Sequence, residues 1–505
     1  MHAVTTMTCS KSGVRLERSL SPWTTHLFIA ALTFASPMGA ADSARAQSAR
    51  ADYDVVILNG RVMDPESGLD AVRNVGVRDG RIEVVSSANL QGRATLDAHG
   101  LVVSPGFIDL HQHGQDREND EAKAADGVTT ALELETGVAD VDAWYAVRAR
   151  NALINFGASS GHIPVRMAVM HDPGRFLPSG AAAHRAATAE ELQQITAGVE
   201  KGLKRGALAV GLGTAYTPGA SNLEILKIFE IAARRGASVH VHIRGSSEDP
   251  DGTFGGFQEV LADAAATGAA LHIVHVHSTG GANVVHELDM IRGARARGLD
   301  VTAEAYPYDH GATQIQSALF DNREKEPDSY FASLLWPATG ENLTRESFLR
   351  YRKSGGRVIL PVTTPELMRD AILDPLTMIA SDGILEEGKG HPRTAGTFSR
   401  VLAQYVREER TLSLMDALRK MTLMPAQRLE KRVPAMRDKG RLRAGANADI
   451  TVFDPASVRD RATYTEPALP SSGIHYVLVN GVVVLKDGKV QAGVVTGREI
   501  RASIE

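Results

Sequence analysis

The sequence predicts an α/β chain built on a (β/α)8, TIM-like barrel, with a small β-sandwich domain assembled from its N- and C-terminal segments. Three patterns carry this. Between 102 and 440, short apolar runs alternate with helix-length amphipathic stretches, among them 189–205, 223–235 and 256–267. Such alternation, sustained over about 250 residues or more, is what a barrel requires. From 52 to 101 the rhythm is that of hairpins: Val55-Val56-Ile57-Leu58 stops at Asn59-Gly60, and Val75-Gly76-Val77 stops at Asp79-Gly80. The stretch 441–505 mirrors it, with Asp449-Ile450-Thr451-Val452-Phe453, then Tyr476-Val477-Leu478-Val479 before Asn480-Gly481, so the two ends are expected to meet in one domain. A doubly wound open sheet is the competing arrangement. The chain has no GxGxxG after a first strand and no GxxxxGK[ST], which counts against that arrangement and against nucleotide binding.

At 505 residues, 43% apolar and 23% charged, the composition is that of a folded globular chain. A formal net charge of −5 supplies no basic field for nucleic acid or an anionic membrane. A small molecule is therefore the expected partner. Residues 1–46 read as a signal peptide: Lys11, Arg15 and Arg18 precede an apolar run from Leu27 to Ala40, and Ala44-Arg45-Ala46 offers the small residues of a cleavage site. An exported, periplasmic protein is expected. The apolar run falls short of the ~20 residues of a membrane span, and no later segment is longer, so no span is expected in the mature chain. The single cysteine, Cys9, lies in the leader. A metal site in the mature chain must then draw on histidine, carboxylate or a modified lysine.

Leu101-Val102-Val103 leads through Pro105-Gly106 and Phe107-Ile108-Asp109-Leu110 into His111-Gln112-His113. Histidines at i and i+2 on a strand point to the same side, so both imidazoles reach one ion. Two more strand-like runs end in histidine, Val239-His240-Val241-His242 and Leu271-His272-Ile273-Val274-His275, and a helix-length segment separates them. Imidazoles from successive strand ends can converge on zinc or a similar ion. His242 and His275, at the run ends, are the candidate ligands; His240 and His272, deeper, read as core histidines. Met378-Ile379-Ala380-Ser381-Asp382 delivers a carboxylate at the end of another apolar run. Alone it would pass for a turn residue or helix cap. Beside three histidine clusters it reads as a metal ligand that is general base first and general acid afterwards.

Together these residues resemble the amidohydrolase superfamily, and within it the N-acyl-D-amino-acid deacylases. The likeness extends from Asn59-Gly60-Arg61-Val62 to Gly445-Ala446-Asn447-Ala448-Asp449-Ile450, and takes in His242-Ile243-Arg244, Tyr306-Pro307-Tyr308, Ser381-Asp382-Gly383 and His391-Pro392-Arg393. The resemblance implies one or two zinc or similar divalent ions, one held by His111, His113 and Asp382 and a second by His242 and His275. Related deacylases carry a bridging cysteine after a Gly-Val-Thr-Thr strand. Here Gly127-Val128-Thr129-Thr130 continues into Ala131-Leu132-Glu133-Leu134-Glu135. Two in-phase carboxylates on an inward strand face are costly unless bound to something, and Glu135, nearer the strand end, is the expected bridge. This variant resembles D-glutamate deacylases, which implies hydrolysis of a linear amide in N-acyl-D-amino acids, N-acyl-D-glutamate above all. Arg244 is the expected clamp for the substrate α-carboxylate, with Tyr306, Tyr308 and Arg393 in support. His277 stands where related deacylases carry a lysine, so a carboxylate anchor there is weaker or pH-dependent. A cyclic-amide hydrolase of dihydroorotase or hydantoinase type, or a dipeptidase, is the competing enzyme. A periplasmic binding protein on an inactive hydrolase fold is the competing non-enzyme.

Overall fold

The computed structural model describes residues 52–245 and 252–505; the expected leader at 1–46 lies outside them. Eight parallel strands form the barrel: β1 (Phe107–Asp109), β2 (Val128–Val138), β3 (Asn155–Gly161), β4 (Val210–Gly213), β5 (Ser238–His242), β6 (Ala270–Ile273), β7 (Val301–Ala305) and β8 (Thr377–Ile379). Each pairs with its sequence neighbours, in the order β8-β7-β6-β5-β4-β3-β2-β1. The ring closes just beyond the strand ends, where Asp382 N donates to His111 O at 2.7 Å and His113 N donates to Gly383 O at 2.9 Å. Below that seam, the buried Asp109 carboxylate accepts from Ser381 N and Ser381 Oγ and pairs with Lys123 at 2.8 Å. β1 and β8 are thereby locked in register, and His111 and Asp382 are brought side by side.

The helices close the outside of the barrel. Ala189–Lys204 starts at Thr188, whose side chain accepts from Glu191 N while Glu191 accepts from Thr188 N; such a cap stabilises a helix by about 1 kcal/mol. Ile195, Val199 and Leu203, at fourfold spacing, face inward and are buried. Val210, Val239, Val241, Leu271 and Ile273, on the faces of β4, β5 and β6 turned towards the helices, meet them in one continuous core.

Both chain ends enter one nine-stranded sheet, in which Tyr53–Asp64 pairs with Leu69–Arg78 and Val102–Pro105 pairs with Ile450–Phe453. Val62, Val75, Ile82, Leu442, Ile450 and Leu478 share its core. Two boundaries differ from expectation. Val102–Pro105 belongs to this sheet, not to the barrel, because the apolar run breaks at Pro105-Gly106 and its first half pairs with Arg61 and Val62. At the far end, the last residues leave the sheet and pack on the barrel: Ile500 O accepts from Tyr145 Oη at 2.6 Å, and Ile500 and Ala502 are buried beside Leu132, Leu208 and Met436. Between β7 and β8 the chain makes a further four-stranded sheet over 310–361, with a core of its own around Phe331, Trp336, Phe348 and Val358. This insertion interrupts the barrel expected over 102–440.

Candidate active site

At the C-terminal mouth of the barrel, His111, His113, Glu135, His242, His275 and Asp382 converge, delivered by the ends of five strands or the residues just after them, with both His111 and His113 following β1. His111 Nε2, His113 Nε2, Glu135 Oε2 and Asp382 Oδ1 form one group. Five of the six distances between these atoms run from 3.1 to 3.5 Å. A tetrahedral ion with bonds of about 2.05 Å has donor–donor edges of about 3.3 Å, so these four atoms fit one. The other oxygen of Glu135 faces the opposite pair: Oε1 lies 2.6 Å from His242 Nδ1 and 3.4 Å from His275 Nε2. One carboxylate therefore turns one oxygen to each histidine pair, the geometry of a bridge between two ions.

A hydrogen-bond partner, buried for His111 and His113 and part-buried for His275, aims the second ring nitrogen of three of these histidines. His111 Nδ1 meets Glu304 Oε1 at 2.6 Å, His113 Nδ1 meets Glu133 Oε2 at 2.8 Å and His275 Nδ1 meets Ser278 Oγ at 2.9 Å. Each leaves Nε2 pointing into the centre, the arrangement usual for metal-ligating histidines. Glu133 is thus a support; its Oε1 accepts from the Thr136 and Gly137 N–H groups. His275 and Asp382 hold φ values of 31° and 53°. Side-chain-bearing residues rarely adopt this region, and such strain collects at functional sites.

The charge balance also calls for added positive charge. Burial disfavours the charged form of His111, yet Asp382, Glu135 and Glu304 outweigh it and raise its pKa to about 10. His113 is raised well above its ordinary value against the same burial, chiefly by Glu133 and Asp382. Burial opposes ionisation of Asp382 as well, but Arg393 and His111 hold the carboxyl well below the usual carboxylate range. Protons or metal ions must neutralise this set, and its imidazole and carboxylate donors suit a divalent ion.

The five residues expected to bind substrate separate into two groups. Arg393 Nη2 meets Asp382 Oδ2 at 2.9 Å, its guanidinium lies 4.6 Å over the Tyr306 ring, and its Nε and Nη1 are buried without a partner. His277 packs edge-on against Tyr306 at 4.3 Å with neither ring nitrogen hydrogen-bonded. Burial and His275 lower its pKa to about 3, so it is a neutral imidazole at any physiological pH. Those three adjoin the centre. Tyr308 instead lies against His391 and under Arg400. Arg244 is engaged elsewhere: Nε donates to Glu259 at 2.7 Å, Nη1 to Ala220 O at 2.8 Å and Nη2 to Asn222 and Glu259. A clamp by Arg244 would have to break that ion pair.

Sequence reasoning missed four neighbours of the centre. Glu304 lies within the apolar run of β7, and an in-line carboxylate there could have been flagged by the same cost argument that singled out Glu133 and Glu135. Phe176 packs on His113 at 5.2 Å and Tyr216 on His242 at 4.7 Å; neither carries a sequence signal. Arg357, from the inserted sheet, lines the same pocket as Glu135 and Asp382.

A parallel barrel with a histidine and carboxylate centre at its mouth defines the class, and the family profile agrees: the Amidohydrolase family matches residues 102–500. The chain belongs to that family. Among its relatives is the N-acyl-D-glutamate deacylase of Alcaligenes xylosoxydans xylosoxydans, 32% identical over 85% of this chain and 93% of that protein. The N-acyl-D-glutamate deacylase of Bordetella bronchiseptica, solved with zinc and a phosphonate mimic of the tetrahedral intermediate, superposes with a TM-score of 0.77 at 29% identity, over 89% of this chain and all of that one. A D-aminoacylase structure described for its binuclear metal centre gives 0.75 at 26% identity, with the same coverage of both chains.

Proposed function

We infer that this protein is a metal-dependent N-acyl-D-amino-acid deacylase, with N-acyl-D-glutamate as its substrate and zinc as its working ion in one or two sites. The divided carboxylate of Glu135 carries this reading, because a glutamate that turns one oxygen to each of two histidine pairs has the geometry of a metal bridge. The relatives support the substrate class, and the zinc in the Bordetella enzyme supports the ion.

When bound, a divalent ion at this centre supplies Lewis acidity to the acyl carbonyl and acidifies a water molecule. The chain's own residues do the rest. His111, His113, Glu135, His242 and His275 hold the centre. Asp382, kept ionised by Arg393, accepts a proton as the water oxygen bonds to the acyl carbon, then returns it to the amino nitrogen as the C–N bond breaks. The products are a carboxylic acid and a free D-amino acid. Arg393 keeps two buried donors, Nε and Nη1, for the α-carboxylate, and a guanidinium binds a carboxylate bidentately. Tyr306 backs that guanidinium, and His277 offers a neutral N–H.

The deciding assay strips the protein of metal, reloads it with zinc and supplies N-acetyl and N-formyl D- and L-amino acids beside dihydroorotate and hydantoin. Zinc-dependent release of D-glutamate is the expected result. Turnover of cyclic amides alone would overturn the deacylase reading, and no turnover by a zinc-loaded protein would favour the binding-protein alternative. The basic and apolar pattern of residues 1–46 supports export to the periplasm; N-terminal sequencing of the protein recovered from that compartment is expected to begin just after Ala46. Among the described residues no helix is long and apolar enough to cross a membrane.

A further inference from the structure

The pocket over the centre contains a cation that the deacylase reading has not used. Arg357 opens the strand Arg357–Pro361 of the inserted sheet, where it pairs in register with Gln314. Val358 and Trp336, from the core of that sheet, hold the strand in place, and Gly356 packs so closely on Trp336 that a Cβ there would lie 2.6 Å from the ring. The Arg357 side chain is 6% exposed, and among the described residues its one acidic partner is Glu386, at 3.1 Å through Nη2. Glu386 is itself 57% exposed, so water and salt screen that pair and it contributes little. Arg357 Nε is buried and has no partner.

The other charged residues lining this pocket are His113, Glu135 and Asp382, all part of the centre. Arg357 is thus a rigidly held guanidinium with an unsatisfied donor, facing a chamber in which every carboxylate already belongs to the ion site. Leaving a buried charge under-bonded costs stability, and an anionic group on the substrate would remove that cost. Arg393, which pairs with Asp382, comes from a different element, so the two arginines are separate groups and can each take a carboxylate.

We propose that Arg357 is a specificity-determining residue that binds the side-chain carboxylate of the substrate and so selects acidic N-acyl-D-amino acids over neutral ones. This rests on the deacylase reading and adds a residue to it. Thr313 and Gln314, on the strand paired with Arg357, line the same wall.

The test compares wild type, Arg357→Met and Arg357→Lys, all zinc-loaded and full-length, on N-acetyl-D-glutamate and its uncharged isostere N-acetyl-D-glutamine. In Arg357→Met, kcat/KM for the glutamate substrate is expected to fall roughly 100-fold, mostly through KM, as befits loss of a charge-assisted hydrogen bond. Turnover of the glutamine substrate is expected to stay within about threefold, and Arg357→Lys to recover part of the loss. Equal losses on both substrates, or an unchanged preference, would overturn the proposal while leaving the deacylase reading intact. A wild type that hydrolyses neither substrate would overturn both. Should Arg357→Met not fold, glutarate and butyrate are compared as inhibitors of wild type: at least tenfold tighter inhibition by glutarate supports the proposal, and equal inhibition overturns it.

Discussion

The barrel holds two layers of histidine that differ by a few ångströms in depth. His240 and His242 are two residues apart on β5, and His272 and His275 three apart on and after β6. In the upper layer carboxylates raise the pKa values of His111 and His113 against burial, while burial and His242 lower that of His275. In the lower layer His272 lies between Thr302 and Glu304, His240 meets Ser238, and burial lowers the pKa of both. One layer gathers the candidate ion ligands and the other is a packed polar core. Glu304 joins them, with Oε1 on His111 and Oε2 on His272. Burial raises its pKa, but His111 and His272 prevail and bring it down to about 2. The same side chain thus serves opposite ends according to where the strand places it and which carboxylates surround it.

Substitutions can break this contrast. The largest expected effect is at the mouth: Asp382→Asn is expected to cost about 10³-fold in kcat on an N-acyl-D-amino acid, because the proton acceptor is lost. Next comes the joining residue. Glu304→Gln is expected to weaken metal binding by 10- to 100-fold, as loss of a partner that orients a ligand does; a chelator competition titration measures it. In the lower layer, His272→Asn is expected to change metal affinity less than threefold and to act on stability, because Glu304 Oε2 loses its partner. Equal losses of metal from Glu304→Gln and His272→Asn would erase the distinction between the layers.

The smallest effect tests a carboxylate that stands alone. Glu287 is buried, with Thr253 Oγ1 at 3.5 Å as its hydrogen-bond donor among the described residues, and burial raises its pKa to about 8. An unfolded glutamate titrates near 4.5. Below pH 4.5 Glu287 is neutral in both states and costs nothing; as pH rises from 4.5 towards 8 the unfolded chain ionises while the buried carboxyl stays protonated, so stability falls across that window and levels off above it. Glu287→Gln is therefore expected to melt a few degrees above wild type at pH 9 and together with it at pH 4.5. A thermal melt at each pH checks this.

Much of this was legible in the sequence, and the reasons are specific. Short apolar runs that end in histidine or aspartate marked β1, β5, β6 and β8, because a parallel strand buried on both faces leaves little room for polar residues except at its ends. The in-phase pair Glu133 and Glu135 stood out as buried charge, and the structure sets them in different places: Glu135 between the histidine pairs, Glu133 behind His113. What escaped was pairing at a distance. Nothing local says that Arg244 reaches Glu259, or that Arg357 arrives over the mouth from an insertion. That insertion went unseen because its strands span only two to five residues and share the spacing of the barrel's own. Glu304 was hidden by company: one carboxylate inside Thr302-Ala303-Glu304-Ala305 reads as an exposed strand position until the ring of strands is closed around it.

The sheet stitched from both chain ends has a consequence for how the molecule assembles. Arg81 reaches Asp438 across 357 positions, and Arg117 reaches Val494 O across 377. Contacts so far apart in sequence are slow to form, since the loop between them must first be brought to order. Tyr53–Asp64, early to emerge during synthesis, cannot complete its sheet until the strands from 450 onward exist. The barrel can take shape earlier, but its clasp fastens last. A chain cut before residue 497 would lack the tail that Tyr145 and Phe156 receive, leaving the barrel wall open along β3 and exposed to proteolysis from the end of the chain inward.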